Sequence, residues 1–413
     1  MLKLEPTLEQ KQALELLHSK KNIFLTGSAG TGKSFVVNYY LKQFKNSIPI
    51  LASTGVAAVL VGGRTFHSFF GLGIMEGTKD KIIHKAMKSK KLEARIKKAK
   101  TIFIDEISMI DPEAFETASS IAQLIKESQL PFGGIRIVVI GDFFQLPPIN
   151  KDLPWMFENQ LWKDLDFTTI ELKKSMRTQD HQFFEMLNQV RKGRCTEETK
   201  TFFNSRVSDI KEDFEGTVLF AHNYKVAVYN NKQLEKLDGP AQTFPTEVTK
   251  KSAEKRDSKK LIGMTPLPEV LTIKKNALVM IRKNDPDFKY VNGTLARVVE
   301  MKQDQISIKL LNGKPIDLEK AEFKIHDADG KERASIKNFP ITLAWASTIH
   351  KSQGASIDKV HVDLEGLWEN GQAYVALSRA KSPEGLLIKD WNPASIKTDQ
   401  GVIDFYSNLK SSL

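Results

Sequence analysis

The stretch Gly27-Ser28-Ala29-Gly30-Thr31-Gly32-Lys33-Ser34 matches the phosphate-binding pattern G-x-x-x-x-G-K-[ST]. The mostly apolar residues 22–26 before it predict a short buried strand, and the apolar spacing of residues 34–44 after it predicts a helix. In a strand–loop–helix arrangement, backbone N–H groups and the helix N-terminus face phosphate oxygens. A chance glycine turn would lack these flanks, so we interpret the stretch as a P-loop.

Two side chains of this loop have defined chemistry. Lys33 is predicted to reach the β- and γ-phosphates of a nucleoside triphosphate, and the Ser34 hydroxyl is predicted to hold Mg²⁺. The loop therefore predicts triphosphate binding but does not say what the binding is for.

The bulk composition is that of a globular protein with excess basic charge. The chain has 413 residues, 41% of them hydrophobic, which is enough for two or three domains. A net charge of +11 favours a polyanionic partner, either nucleic acid or an anionic membrane surface, although a solvated basic surface would give the same value. Cys195 is the only cysteine, which excludes an intrachain disulfide and fits a reducing compartment. No leader peptide and no apolar run of about 18 residues is evident, so we expect no membrane span.

A carboxylate pair follows the next strong apolar run. Residues 102–104 predict a strand that ends at Asp105 and Glu106, the form of a Walker B motif. Asp105 is predicted to hold the Mg²⁺ shell, and Glu106 is predicted to orient or deprotonate the attacking water. Gln145 follows another apolar run, at 135–140, and its amide could sense both γ-phosphate and water.

Three shorter segments have two interpretations each. Gln10 fits a Thr-x-x-Gln capping box at a helix start, and it could also lie beside the nucleotide base. The segments 53–58 and 62–69 carry small, hydroxyl and His residues at predicted strand exits. Such loops suit backbone-phosphate contacts in an α/β sheet, but ordinary turns explain them equally well.

Residues 79–100 hold ten Lys or Arg residues against two acidic ones, on a helical apolar spacing. A charge run of this kind is usually a solvated helix face. A nucleic-acid patch fits equally well beside a triphosphate-binding core, and a basic amphipathic helix on a membrane surface is a third interpretation.

The second half of the chain predicts another α/β unit with a β-rich insertion. Strand and helix patterns start near residue 217, and turn pairs such as Asn292-Gly293 then punctuate short β runs. The α/β texture returns at residues 341–346, followed by a polar strand exit at 347–354. Arg379 lies near the end of a predicted helix, from which an arginine could reach a phosphate bound by the other unit.

Seven segments, taken in order along the chain, resemble the Pif-type helicases of superfamily 1, the 5′→3′ branch. They are GSAGTGKS, ASTGVAA, GGRTFHS, DEISMID, PFGG with GDFFQLPP, FPITLAWASTIHKSQG and YVALSRAK. The resemblance runs from Gln10 to Arg379. RecD-like and phage Dda-like helicases share the general layout without the PFGG and GDFFQLPP combination.

The resemblance implies an α/β fold with two RecA-like P-loop domains, a small wedge insertion in the first and a small β-barrel insertion in the second. The first domain would span 1–175, with a basic wedge element at 71–100. The second would comprise 176–245 and 340–413, around an inserted β-rich domain at 246–339.

The resemblance also assigns residue roles. Gln10 would read adenine, and Gln145, Arg177 and Arg379 would contact the γ-phosphate. The implied ATP site comprises Gln10, Gly27, Ser28, Ala29, Gly30, Thr31, Gly32, Lys33, Ser34, Gln145, Arg177, Gly354 and Arg379. The implied DNA contacts are Thr54, Gly55, His67, Ser68, Thr348, His350 and Lys351.

These observations predict an ATP- and Mg²⁺-dependent DNA helicase that translocates 5′→3′ on single strands and unwinds duplex DNA. Its predicted partners are single-stranded, forked and tailed duplex DNA, with G-quadruplexes and RNA–DNA hybrids left open and roles in replication, repair, recombination or telomere-type maintenance implied. We expect a monomer in the cytoplasm of bacterial or phage type, with a nuclear or mitochondrial location left open. Two rivals are a DNA-binding ATPase switch that does not unwind and a nucleotide or small-molecule kinase.

Overall fold

The N-terminal part of the chain forms a parallel sheet with helices on both faces. The computed structural model describes residues 5–44, 48–73, 75, 77–148, 153–210, 214–250, 258–283, 285, 289–290, 292–326, 332–365 and 367–409. The elements of the N-terminal part are α1 Leu8–Leu17, β1 Ile23–Gly27, α2 Lys33–Gln43, β2 Ile50–Ala52, α3 Gly55–Leu60, β3 Arg64–Thr65, α4 Phe66–Phe70, α5 Lys79–Met87, α6 Lys90–Lys98, β4 Thr101–Asp105, α7 Pro112–Lys126, β5 Arg136–Ile140, α8 Gln160–Asp164 and β6 Thr168–Leu172.

The six strands are ordered β3-β2-β4-β5-β1-β6, and every pair is parallel. The central strands β1, β4 and β5 are almost wholly apolar and buried because helices cover both faces. Since parallel strands end at one edge, the loops after β1, β4 and β5 meet there. That edge therefore carries the P-loop, Asp105-Glu106 and the segment that contains Gln145.

The segment PFGG forms a tight turn that locks helix α7 to the sheet. Phe132 is fully buried between Phe70 and Phe115, with ring centroids 5.6 and 4.9 Å away, and its backbone N–H donates to Ser119 Oγ at 2.9 Å. Gly133 has φ of +62°, and a Cβ there would lie 2.6 Å from the Ala122 carbonyl oxygen. The glycine is thus required by the close approach of the turn to α7.

The basic run at 79–100 folds as the two short helices α5 and α6, which pack against α7. Ile82, Leu92 and Ile96 are buried on their inner faces. The amphipathic spacing therefore serves packing on one side, and the lysines lie on the other side. The assignment of this segment as a wedge stays a prediction.

The next part of the chain supplies the start of a second α/β unit and then an insertion. Its elements are α9 His181–Arg191, α10 Glu197–Arg206, β7 Thr217–Phe220, α11 Asn223–Glu235, β8 Gln242–Pro245, β9 Glu247–Lys250, α12 Ser258–Ile262, β10 Val270–Ile273, β11 Leu278–Ile281, β12 Leu295–Met301, β13 Gln305–Leu310, β14 Pro315–Glu319, β15 Ala321–His326, β16 Glu332–Asn338 and β17 Ile341–Leu343.

The insertion contains two larger antiparallel sheets, and the β8–β10 pair lies beside them. One sheet has the order β14-β13-β12-β11-β17, and the other has the order β15-β16-β9 with its own small apolar core. Pairing in the first sheet ends at β14 on one side and β17 on the other within the described residues, so the closed barrel stays a prediction. Strand β17 pairs with β11, so we propose that residues 341–343 belong to the insertion, whereas the predicted second domain resumes at residue 340.

The second α/β unit is completed after the insertion. Its remaining elements are β18 Ala346–Thr348, α13 Ile349–Ser352, β19 Val360–Asp363, α14 Gln372–Leu377, β20 Leu386–Asp390 and α15 Gln400–Asn408. The sheet order is β18-β7-β19-β20, again all parallel.

The last helix packs against a different part of the chain than the predicted domain limits imply. Residues 340–413 were all assigned to the second domain, but α15 packs against the core of the first. The Phe405 ring lies 4.2 Å from that of Phe157, and Tyr406 Oη lies 2.6 Å from Thr26 Oγ1. Apolar side chains on α15 complete a core that β1 and α8 leave open. We therefore propose that the first domain comprises roughly residues 1–175 together with α15.

None of the helices in the described ranges combines the length and apolar character needed to cross a membrane.

Candidate active site

The P-loop holds its shape through glycine geometry. Gly27, Gly30 and Gly32 have φ of +138°, +83° and +92°. Around the loop, a Cβ on Gly30 would lie 2.6 Å from Arg177 Cβ, and one on Gly32 would lie 2.5 Å from Gln10 Nε2. The two glycines therefore admit two side chains that the sequence predicted to belong to the ATP site.

Lys33 is turned onto the loop that precedes it. Its Nζ donates to the carbonyl oxygens of Gly27 at 2.6 Å and Ser28 at 3.1 Å. Burial lowers the pKa of Lys33, an effect that the nearby carboxylates of Asp142 and Glu106 oppose. A triphosphate would offer this ammonium group stronger acceptors in the same place.

The two carboxyl groups at the end of β4 have raised pKa values. Asp105 Oδ1 accepts a hydrogen bond from the Glu106 backbone N–H at 2.9 Å, and Glu106 has the left-handed φ of +53°. Burial raises the pKa of both groups, and with the added charge of Asp105 it brings the pKa of Glu106 to about 7. A base with a pKa near neutrality suits proton abstraction from water.

Gln353, at the end of α13 in the second unit, bridges two catalytic candidates of the first. Its Nε2 donates to Glu106 Oε2 at 3.2 Å and to Gln145 Oε1 at 3.3 Å. Gln353 lies in the motif FPITLAWASTIHKSQG, but the sequence predicted no role for it. Its amide links the group predicted to activate water, Glu106, to the group predicted to sense phosphate, Gln145.

Two arginines lie at the junction of the two units, close enough for their charges to interact with each other. Arg177 stands on the connection between the two units, and its Nη1 donates to the Ser378 carbonyl oxygen. Arg379 is 1% exposed, and its guanidinium donates to backbone oxygens of Val375, Ser352 and Ala355. Both make hydrogen bonds to backbone oxygens of the second unit, and their contact with the γ-phosphate stays a prediction.

The two guanidinium groups lack a buried carboxylate partner among the hydrogen bonds of the described chain. Burial lowers the pKa of Arg177 to about 10. Burial, together with the positive charge of Arg177, lowers the pKa of Arg379 to about 9. Two buried cations that repel each other form a site suited to a polyanion such as the triphosphate.

The second unit also contacts the P-loop backbone directly. Tyr374 Oη accepts a hydrogen bond from the Ala29 N–H at 2.7 Å, and Ser28 Oγ donates to Asn188 Oδ1 at 2.7 Å. Sequence reasoning missed Tyr374 and Asn188. Tyr374 lies in YVALSRAK, which was a usable signal, whereas Asn188 lies on α9 outside every motif identified.

Gln10 forms the predicted capping box and also lies against the P-loop. It completes the capping box with Thr7, through bonds of 3.1 and 3.3 Å, and its Nε2 also points at the Thr31 carbonyl oxygen, 3.5 Å away. The amide is buried against the P-loop. Its contact with adenine stays a prediction.

The donors available for Mg²⁺ are hard oxygens. Ser34 stands at the exposed start of α2, and Asp105 ends β4 close enough to Lys33 for their charges to interact. Within the residues described, no three His, Cys, Asp or Glu side chains form a metal cluster. This fits Mg²⁺, which takes one or two protein oxygens and fills its octahedron with phosphate and water.

The predicted DNA contacts lie at the carboxyl edges of both sheets. Thr54 and Gly55 follow β2, while His67 and Ser68 lie on α4 after β3. Burial lowers the pKa of His67. Gly55 lies against the insertion, since a Cβ there would be 3.0 Å from Met264 Cα.

The predicted contacts in the second unit differ in accessibility. Thr348 is 3% exposed, and its hydroxyl caps α13 by accepting the Lys351 N–H at 3.2 Å. His350 and Lys351 are exposed, with His350 Nε2 lying 3.4 Å from Glu369 Oε2. Gly354 has φ of +76° with open space around it. Thr348 is therefore a structural cap in this arrangement, and His350 and Lys351 present the free surface.

An exposed aromatic stack lies at the same edge and was not predicted. The His222 ring stacks on Trp368 at 5.0 Å and on Tyr224 at 5.8 Å. Trp368 and Tyr224 are 46% and 65% exposed. They follow β19 and β7, so no short sequence pattern joins them.

Comparison with known proteins agrees with this geometry. The family described as PIF1-like helicase matches residues 7–201. Over 98% of its length the chain is 43% identical to a Bdellovibrio bacteriovorus protein named ATP-dependent DNA helicase Pif1, and the match covers 93% of that protein.

The chain belongs to the Pif1 helicases.

Solved Pif1 structures confirm the predicted family and its two RecA-like domains. The Bacteroides sp Pif1 in complex with ADP-AlF4 is 28% identical, with a TM-score of 0.85, over 98% of this chain and 97% of that one. Bacteroides Pif1 bound to ssDNA is 28% identical, with a TM-score of 0.66, over 98% and 97%. The Pif1 segment PFGG thus has a visible structural role in this chain, and Gln353, Tyr374 and Asn188 extend the set of residues around its nucleotide cleft.

Proposed function

We propose that ATP binding closes the cleft between the two RecA-like domains and that hydrolysis reopens it, which drives the chain 5′→3′ along single-stranded DNA. As a Pif1 helicase, the chain is an ATP-dependent DNA helicase, with ATP and Mg²⁺ as cofactors. The observation that carries the proposal is the divided site: Lys33 and Glu106 come from one domain, whereas Gln353 and Arg379 come from the other. A nucleotide that binds both halves gains affinity only when they approach, so hydrolysis changes the domain spacing.

The proposed DNA path runs over the carboxyl edges of both sheets. Thr54, His67 and Ser68 would hold backbone phosphates in the first domain, and His350 with Lys351 would do so in the second. A relative, Bacteroides Pif1, has a structure bound to ssDNA, and a further Pif1 structure concerns unwinding at forked dsDNA by two coordinating Pif1 helicases. The basic helices α5 and α6 would meet the duplex at the fork.

The aromatic stack would add base contacts to this path. Stacking of one base on an aromatic ring contributes about 1–3 kcal/mol, so Trp368→Ala should weaken single-strand binding by roughly fivefold to a hundredfold. DNA-independent ATP hydrolysis should not change. Unaltered binding in a fluorescence-anisotropy titration would remove the stack from the path.

The decisive experiment compares unwinding of duplexes with a 5′ tail, a 3′ tail or no tail at saturating ATP and Mg²⁺. Only the 5′-tailed duplex should be displaced, and displacement of only the 3′-tailed duplex would reverse the polarity. DNA-stimulated ATPase without displacement would favour a switch, and ATPase indifferent to DNA would favour a kinase-like enzyme. Lys33→Ala is the control, which should lose turnover and keep DNA binding.

The finer assignments rest on family membership alone. We propose activity at forks, with G-quadruplexes and RNA–DNA hybrids as further substrates, a monomeric state in solution and a cytoplasmic location in a bacterial or phage context. Roles in replication, repair and recombination follow from the same proposal. Unwinding assays on each substrate and light scattering of the free protein test these points.

A further inference from the structure

Helix α9 of the second domain reaches two ATP-facing elements of the first from a single face. Asn188 and Arg191 stand three residues apart, so their side chains project on the same side of the helix. Asn188 accepts the Ser28 hydroxyl of the P-loop at 2.7 Å, and Arg191 pairs with Asp142 at 2.8 Å. Helix α9 therefore connects the P-loop to the segment that follows β5.

The Arg191–Asp142 pair is built to keep one geometry. The side chains are 4% and 0% exposed, and two nitrogens of the guanidinium reach both carboxylate oxygens at 2.8–3.2 Å. The guanidinium also lies over the rings of Phe144, at 4.3 Å, and Tyr406, at 5.0 Å. A bidentate pair held between two rings fixes distance and orientation together.

Asp142 transmits this fixed position to Gln145. Its Oδ1 accepts the Phe144 N–H at 3.2 Å, and its backbone oxygen accepts the Gln145 N–H at 2.9 Å. These bonds form the turn that presents the Gln145 amide to Gln353. Because Arg191 fixes the position of Asp142, it also fixes the position of Gln145.

The contact at Asn188 is of a different kind. Asn188 is half-buried and meets Ser28 through one hydrogen bond between neutral groups, which is easily exchanged. Beside it, Tyr374 on the neighbouring helix α14 meets the next residue of the loop. One end of the α9 face is thus permanently anchored, and the other makes a contact that can adjust to the P-loop.

We propose that Arg191 and Asn188 are positioning residues of the ATPase reaction, which set the spacing between Gln145 and the P-loop from the second domain. Neither would touch the nucleotide. The inference rests on the ATPase activity of the chain and adds two residues that act through Asp142 and Ser28. Their effect should fall on kcat, because they place groups for the transition state rather than bind substrate.

The test is a double-mutant cycle between Asn188→Ala and Ser28→Ala, with ATPase kcat and KM measured at saturating DNA. Asn188→Ala should lower kcat about fivefold, as expected for one lost hydrogen bond, and leave KM within about twofold. The double variant should lose less kcat than the two single losses combined, because both changes remove the same hydrogen bond. Gln189→Ala is the matched control, because Gln189 is the half-buried neighbour on α9 whose side chain makes no hydrogen bond in the described part of the chain.

Arg191→Lys tests the anchored end. A lysine keeps the charge but cannot bridge both carboxylate oxygens or stack between the rings, so kcat should fall at least about tenfold. A thermal melt of each variant separates misplacement from unfolding. If Arg191→Lys does not fold, the Asn188 cycle still decides the proposal.

The outcomes are distinct. Non-additive kcat loss at unchanged Tm supports the positioning role. A kcat for Asn188→Ala equal to that of Gln189→Ala, or full additivity with Ser28→Ala, overturns it. An absence of ATPase in the unmodified chain would instead overturn the proposed function.

Discussion

Glu106 combines a left-handed backbone with a raised pKa, and both features follow from its place between the domains. A non-glycine residue at φ of +53° costs of order 1 kcal/mol or more, and such strain persists where the surroundings demand a fixed side-chain position. The Glu106 backbone N–H donates to Asp105 on its own strand, and the Glu106 carboxylate accepts a hydrogen bond from Gln353 of the other domain. The same enclosure withholds solvent from its charge and so raises its pKa.

The pH dependence of turnover should report this group. Because its pKa is raised to about 7, kcat/KM should fall about tenfold for each pH unit below 7. Glu106→Gln should lose turnover, and the dependence of turnover on pH should disappear in this variant. A profile that stays flat down to pH 5 in the unmodified chain would contradict the role of Glu106 as base.

The same raised pKa predicts that folding stability falls as the pH rises, whereas turnover increases. The folded chain keeps the Glu106 proton up to about pH 7, while an unfolded chain loses it near 4.5, so this contribution to stability is present below pH 4.5 and lost as the pH rises through 7. Glu106→Gln should therefore raise Tm at pH 8, by about 2 °C or more, and have little effect near pH 4.5.

Arg379 should contribute to turnover rather than to nucleotide affinity. Removal of an arginine that stabilises transition-state charge costs about a thousandfold or more in kcat. Arg379→Ala should show this loss, with the affinity for a fluorescent nucleotide nearly unchanged. Lys381→Ala, two residues along on the surface, is the control, and equal kcat in the two variants would remove Arg379 from the reaction.

At the scale of elements, the interface depends on close approach of backbones. The loop before α14 passes so near the Gln145 turn that a Cβ on Gly371 would lie 2.5 Å from the Phe144 oxygen and 2.6 Å from the Gln145 oxygen. Gly371 also has φ of +74°. The second domain thus meets the phosphate-sensing turn without a side chain in between.

Gly371→Ala should therefore impair both stability and turnover. Gly239→Ala is the matched control, since Gly239 has φ of +85° but open space around it. The control should show only the backbone cost of about 1 kcal/mol. Gly371→Ala should lower the free energy of unfolding by more than this amount, as measured by denaturant unfolding. It should also lower kcat in ATPase assays. Equal effects in the two variants would mean that the domains separate readily at this point.

The sequence was informative where one short segment carries the chemistry. The P-loop, Asp105-Glu106 and GDFFQLPP could be found because strand, turn and functional residue are adjacent in the chain. Gln353 contacts Glu106 across 247 positions, and Tyr374 contacts Ala29 across 345. No periodicity or spacing rule spans such separations, so these partners required the fold. Thr348 shows a second role that its motif did not reveal, because its hydroxyl caps α13. Its contact with DNA stays a prediction.

For the whole molecule, the domain limits were the least predictable feature. A helix with half its side chains apolar, such as α15, gives no sign in its sequence of which core it completes. Phe405 packs against Phe157 and faces the Phe143 ring, whose centroid lies 5.7 Å away, in the first domain. With the first domain as we propose it, the second domain interrupts the first, and one cut in the chain would not separate them.

Phe405→Ala should destabilise the first domain specifically. Loss of a half-buried phenyl ring should cost about 2–4 kcal/mol, with Ser407→Ala on the exposed side of α15 as the control. Hydrogen exchange should show reduced protection in β1 and β5. Reduced protection confined to the second sheet would show that α15 belongs there after all.

The placement of α15 also has a consequence for biosynthesis. The strands of the first sheet have all left the ribosome by Leu172, but the helix that seals their core follows roughly 230 residues later, which at ribosomal speeds of 5–20 residues per second is a delay of about 12–46 s. During that interval the faces of Phe157 and Trp162 that α15 covers stay open to water or to a chaperone. The first domain to be made is thus the last to be finished, and a nascent chain of this helicase cannot assemble its complete ATP-binding half until the second half exists.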